Sequence, residues 1–183
     1  MTEKRDEERT DLRELITTLK RMALMIKDEY ILDVVSYLRR ISKKCGCSMQ
    51  RADPNAYIFI LRCKHTETRI FICSSKIHCV NNSEMLWFGL SNTALNFLKN
   101  SDRSFVIFID RDENRRVIVP FKEIESEMRS RGSLKKKTSH YEIRLIRISG
   151  TYKTEKSKKY LAEFVENFEQ LFPKNLERRE AHQ

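Results

Sequence analysis

Four short apolar runs, each stopped by charged or polar residues, constrain this chain more than any other feature. They are Tyr57-Ile58-Phe59-Ile60-Leu61-Arg62-Cys63, Arg69-Ile70-Phe71-Ile72-Cys73, Ser104-Phe105-Val106-Ile107-Phe108-Ile109 and Arg116-Val117-Ile118-Val119-Pro120. Their length and their β-branched and aromatic content predict strands, and the near-continuous apolar character of the first two predicts that those are covered on both faces. Lys64-His65-Thr66-Glu67-Thr68 joins the first pair, and the charged loop from Asp110 to Arg116 joins the second. Pro120 closes the last run, because proline has no amide hydrogen to give to a ladder. Ile58, Ile60, Ile70, Ile72, Val106, Phe108 and Val117 are therefore expected in the core.

Helical periodicity surrounds these runs. Leu12, Leu15, Ile16, Leu19, Met22, Ala23 and Ile26 recur at helical spacing behind an Asp11 and Glu14 capping box. Ile31, Val34, Val35, Leu38 and Ile41 form a second amphipathic pattern that ends at Lys43-Lys44, with Gly46 as the break. Met85 to Leu90 reads as a further strand, Ser91 caps a helix carrying Ala94, Leu95 and Leu98, and a short helix is expected around Ile124 to Met128. Tyr141 to Ile148 reads as a half-buried strand. Tyr160, Leu161, Phe164, Val165, Phe168 and Leu171 predict a last helix, stopped by Pro173.

The order predicts an α+β fold with one mixed central sheet flanked by helices, preceded by an N-terminal helical pair. A single domain is expected over 12–173, between charged ends at 1–11 and 174–183 that should fray.

The 36 Lys and Arg against 26 Asp and Glu leave a net charge of +10, which favours an anionic partner. The five cysteines, Cys45, Cys47, Cys63, Cys73 and Cys79, lack the paired CxxC spacing of a structural zinc site, and reduced, mostly packed thiols are expected. His65, His78, His140 and His182 show no paired spacing for a metal or a triad. No run reaches the roughly 18 apolar residues of a spanning helix, so a cytoplasmic protein with no membrane contact is expected.

Leu86-Trp87-Phe88-Gly89-Leu90-Ser91, an amphipathic helix, then Ser104 to Ile109 and Arg116 to Phe121 together resemble the second half of restriction-endonuclease-like proteins of the PD-(D/E)XK superfamily. The resemblance covers about Glu29 to Ile146 and implies a nuclease-like core. It also implies an Asp at the start of one strand and a Glu-x-Lys on the next, two carboxylates holding Mg²⁺ beside a lysine that positions the attacking water. Asp53, ahead of Pro54, stands at the first position, though as a residue before proline it also serves simply as a turn former. The Glu-x-Lys slot reads Phe71-Ile72-Cys73, or Arg69-Ile70-Phe71, and neither triplet can hold a metal. Glu67 falls in the turn and Lys76 past the strand.

Three functions are open at this point. The first is a nucleic-acid-binding protein on a nuclease-like core without catalysis, accessory to restriction, repair or recombination, with DNA favoured over RNA and no cofactor. The second is a Mg²⁺-dependent nuclease with a migrated site built on Glu29, Asp53 and Lys76, with Asp33 and Lys64 as further candidates. The third is a protein-interaction or dimerisation module working through the N-terminal helices.

Phosphate contacts are expected first from the loop carrying Arg129, Arg131, Lys135, Lys136 and Lys137, where five cations fall within nine residues. Further candidates are Lys43, Lys44, Lys64, Arg69, Arg115 and Arg116, and Lys153, Lys156, Lys158 and Lys159. Trp87, the only tryptophan, is a candidate to stack on a base, against a half-buried strand position between Leu86 and Phe88.

Overall fold

The computed structural model describes residues 28–53, 56–131 and 140–173. The amphipathic pattern expected from Leu12 to Ile26, the Pro54-Asn55 turn, Lys135 to Lys137 and the C-terminal charged end lie outside those residues.

Helix α1 (Glu29–Lys44) begins where Asp28 accepts hydrogen bonds from the amides of Tyr30 and Ile31, at 3.1 and 3.4 Å. It buries Ile31, Val34, Val35 and Leu38. Its end is closed by the amides of Gly46 and Cys47, which return to the carbonyls of Lys43 and Ser42, with Gly46 at φ +65°.

The four apolar runs become the centre of a five-stranded sheet. Its strands are β1 (Ser48–Arg51), β2 (Ile58–Cys63), β3 (Thr66–Ser75), β6 (Ser104–Asp110) and β7 (Arg115–Pro120), in the order β1-β2-β3-β6-β7. β3 and β6 are parallel, with Arg69 opposite Ser104 and Ser75 opposite Asp110, and every other pair is antiparallel. The crossover between the parallel strands carries α2 (Asn92–Lys99), capped by Ser91 as expected.

The expected single sheet is corrected to two. β4 (Ile77–Val80), β5 (Ser83–Ser91), β9 (His140–Ile148) and β10 (Thr151–Thr154) form a second sheet in the order β10-β9-β5-β4, and β8 (Arg129–Arg131) also pairs with β9. Asn81 and Asn82, both at positive φ, make the two-residue turn between β4 and β5. Gly150, at φ +77°, turns β9 into β10.

The molecule is thus layered. Phe59, Leu61, Ile70, Ile72, Phe105, Ile107, Ile109 and Ile118 lie on the face of the first sheet that packs against α1. Ile58, Phe71, Val106, Phe108, Val117 and Val119 lie on the other, against α2 and against Leu86, Phe88, Ile143, Leu145 and Tyr152 of the second sheet. Six of the seven expected core residues are buried, whereas Ile60, between edge residue Gln50 and Arg69, is only half-buried.

Two further expectations are corrected. Residues 160–172 form no helix: Tyr160 bridges Lys153, Ala162–Phe164 is a short 3-10 turn, Val165 bridges Val117, and Glu169–Leu171 is a second 3-10 turn. Glu166, in the middle of the segment, takes positive φ, which a continuous right-handed helix excludes. The apolar spacing is real, but it serves both cores: Leu161 and Phe164 enter the inter-sheet core, Phe168 and Leu171 the core under α1. Short helix α3 (Phe121–Ile124) continues as a 3-10 turn over Glu125–Glu127, slightly earlier than expected.

The thiols are not all reduced. The β1–β2 register places Cys47 opposite Cys63, their Cα atoms 4.4 Å apart, and the two form a disulfide. Cys73 is buried, Cys45 half-buried and Cys79 exposed, all three as free thiols.

Candidate functional site

The slots singled out by the resemblance fall on neighbouring strands. Ile58, which opens β2, pairs with Phe71, so the Asp53 loop approaches the Phe71-Ile72-Cys73 end of β3. Those three side chains are 6, 0 and 8% exposed and belong to the two cores. Burial pushes the Cys73 thiol well above its ordinary range, which keeps it protonated. Arg69, from the other reading of the slot, donates to the Phe97 carbonyl at 2.9 Å and pairs with Glu67 at 3.3 Å. Glu67 is on β3 and not in the turn, and it also pairs with Arg62.

Glu29 and Lys76 are exposed, one at the start of α1 and the other between β3 and β4. Together with Asp53 they occupy one end of the first sheet. Among the described residues no group of three or more His, Cys, Asp or Glu is placed to hold a metal ion.

That same end holds two polar clusters that composition did not reveal. In the first, Asp28 accepts from Ser74 and from Arg111, and Arg111 also donates to Ser74 at 2.8 and 3.0 Å. This ties the start of α1 to the ends of β3 and β6. In the second, the fully buried Asp110 carboxylate accepts from the amides of Asp112 and Glu113 and, at 2.9 Å, from the Tyr152 hydroxyl. Arg147 reaches Asp110 at 3.5 Å, Glu113 at 3.2 Å and Glu84 at 2.7 Å.

Burial, then the bond to Asp110, raises the Tyr152 phenol well above its ordinary value, so it remains a donor. The hydrogen bond from Arg147 holds Glu84 below the usual carboxylate range. Every charge named in these two clusters has an opposite charge beside it. They join α1, both sheets and the 111–114 turn.

The expected phosphate contacts divide sharply. Arg115 donates to Gly150 and pairs with Glu113; Arg116 donates to Asn114 and pairs with Glu166. Arg129 pairs with Glu155 at 2.8 Å, in a group that also contains Arg144 and Glu142. Arg131 lies on β8, where its backbone faces His140.

Trp87 is flanked by its own sheet: His78 stacks on it at 4.5 Å from β4, and the Arg144 guanidinium lies 5.0 Å from its ring centre on β9. The ring is half-buried, the strand position weighed for it against base stacking.

A different set remains unpaired. Lys43, Lys44 and Lys64 are exposed and form no ion pair among the described residues, nor do Arg39 and Arg40, which sequence reading passed over. The spacings Arg39/Lys43 and Arg40/Lys44, both i,i+4 on one helix, were the available signal.

Among the described residues no helix is long and apolar enough to cross a membrane. In comparisons with protein-family models, curated proteins and solved structures, nothing matches this chain.

Proposed function

We propose that this protein binds nucleic acid, duplex DNA before RNA, on a nuclease-like scaffold that does not cleave, as an accessory in restriction, repair or recombination. The observation that carries the reading is the content of the Glu-x-Lys slot. Phe71, Ile72 and Cys73 pack inward and offer no carboxylate or amine to a metal-bound water, while the chain around them keeps a net charge of +10. A scaffold of this charge with no metal ligand in that slot is suited to holding a polyanion and not to hydrolysing it.

We also place the protein in the cytoplasm. The Cys47–Cys63 disulfide would then be an exception to the reduced state in which glutathione keeps most thiols there.

The test is a gel-shift panel of single-stranded, duplex, branched and RNA probes, with and without Mg²⁺ or Mn²⁺. The expected result is a duplex shift that needs no divalent ion, with every probe recovered intact. Metal-dependent nicking that disappears in Asp53→Ala would replace this reading with a nuclease whose site is built on Asp53, Glu29 and Lys76. Failure to shift any probe would end it.

A further inference from the structure

We infer that the C-terminal half of α1 and the β2–β3 hairpin turn form one phosphate-binding surface, built from Arg39, Arg40, Lys43, Lys44 and Lys64, which grips the backbone of duplex DNA. This rests on the nucleic-acid reading above and names the surface that would serve it. The sequence had directed attention to the loop after Arg129.

Three observations converge. First, α1 and the hairpin meet at the same end of the sheet. Asp28, before α1, contacts Ser74 and Arg111 at the far ends of β3 and β6, so α1 runs back along the sheet and finishes beside the start of β3. There the Cys47–Cys63 disulfide holds the chain just past Lys43 and Lys44 against the residue that precedes Lys64. The cations therefore come from two segments fastened covalently to each other.

Second, among the described residues the charge is uncompensated. The acids of α1, Glu29 and Asp33, sit at its start, and Asp33 lies about 10 Å along the axis from Arg40 at 1.5 Å per residue. Glu67, the acid on the hairpin, already serves both Arg62 and Arg69. The helix dipole accounts for Lys43 and Lys44 in the last turn. It accounts neither for Lys64, which is not on the helix, nor for the i,i+4 like-charge pairs Arg39/Lys43 and Arg40/Lys44, which disfavour a helix. Unanswered repulsion of this kind is relieved when phosphates replace the missing acids and release their condensed counterions.

Third, the surface carries an aromatic. Tyr37 is exposed on the same helix, with the Arg40 guanidinium 5.6 Å from its ring centre. A planar, donor-rich group held in this way suits phosphate oxygens, which Arg meets with paired N–H groups.

The experiment measures duplex-DNA affinity by fluorescence anisotropy across a salt series for the parent chain, K43A/K44A, K64A and K43R/K44R. K99A/K122A serves as a control that removes two charges elsewhere. Circular dichroism and urea midpoints check that each variant is folded. The expected result is at least tenfold weaker binding by K43A/K44A at low salt, and a slope of log K against log salt flattened by about one to two units, at up to about 0.9 per lost phosphate contact. K64A should lose up to about one unit, K43R/K44R should bind like the parent, and K99A/K122A should keep the parental slope.

If the parent binds DNA and K43A/K44A matches it in affinity and slope, the surface is wrongly assigned while the nucleic-acid reading survives. Equal weakening by K99A/K122A overturns the assignment too, because the effect then belongs to total charge. A parent that binds none of the nucleic-acid probes removes the underlying reading. Capture by phosphatidylserine vesicles without any DNA binding assigns the same cations to a lipid surface and refutes the proposal.

Discussion

The two ends of the first sheet answer charge in opposite ways. At one end Asp28, Arg111, Asp110, Arg147, Glu113 and Glu84 are matched within hydrogen-bonding or ion-pair reach, and the matched groups join α1, the 111–114 turn and both sheets. At the other, Lys43, Lys44 and Lys64 have no acid paired with them among the described residues, and a disulfide fastens the segments that their repulsion would separate. Charges answered inside the protein hold the fold, whereas charges left unanswered at some cost to stability are available to a partner.

The largest effect that would break this comparison is at Asp110. Asp110→Ala leaves the Tyr152 hydroxyl and two turn amides without their acceptor and removes the buried one of the three carboxylates around Arg147, and is expected to cost about 3–5 kcal/mol in urea unfolding. A loss below about 1 kcal/mol would mean that the matched end does not hold the fold. Ile72→Ala gives the apolar reference at the centre of the same sheet, and about 2–5 kcal/mol is expected.

Next, C47S/C63S tests the fastening of the repelling end. The bridge spans a sequence separation of 16, which by loop-closure entropy corresponds to about 3 kcal/mol. That loss should shrink as salt is raised, because screening weakens the repulsion the bridge opposes.

Tyr152→Phe removes one donor to Asp110 and should cost about 1.5–3 kcal/mol. It also sharpens the pH behaviour. The folded phenol keeps its proton above the value of 10.0 at which an unconstrained tyrosine ionises, so above that pH the unfolded chain binds fewer protons and stability falls as pH rises. The contribution is fully present below pH 10, and the alkaline decline should be shallower in the variant. Smallest of all, K43A/K44A should change stability by less than about 0.5 kcal/mol while changing DNA affinity, the converse of Asp110→Ala.

The parts of this fold that were legible in the sequence are those where one residue pattern serves one surface. Ile31, Val34, Val35 and Leu38 all face the same core, and the Phe105 to Ile109 run is buried on both sides, so period and burial agree. Edge strands were missed for two reasons: β1, Ser-Met-Gln-Arg, carries little apolar signal, and β4, Ile-His-Cys-Val, is only four residues long. Asn81-Asn82 and Ser149-Gly150 were turn signals that would have revealed β4 and β10. The last segment misled because helical spacing was imitated by an extended strap whose apolar residues enter two cores in turn.

The candidate site was less legible, since a list of cations does not reveal which ones already have partners. Arg69, Arg115, Arg116 and Arg129 look like Lys43 and Lys64 in sequence, and differ only in the carbonyls and carboxylates that reach them.

That strap also sets a timetable for the newborn chain. The Thr68 hydroxyl on β3 is met by the carbonyl of Leu171, 103 residues later, and Arg103 donates to the carbonyls of Gln170 and Phe172. At about 5–20 residues per second, a ribosome needs on the order of 5–20 s to travel from one partner to the other. For that interval Phe168 and Leu171 are missing from the layer beneath α1, and the strands there are left with an uncovered apolar flank. Such a flank is a natural target for chaperones during synthesis, and its closure depends on a part of the message translated long after the strands themselves.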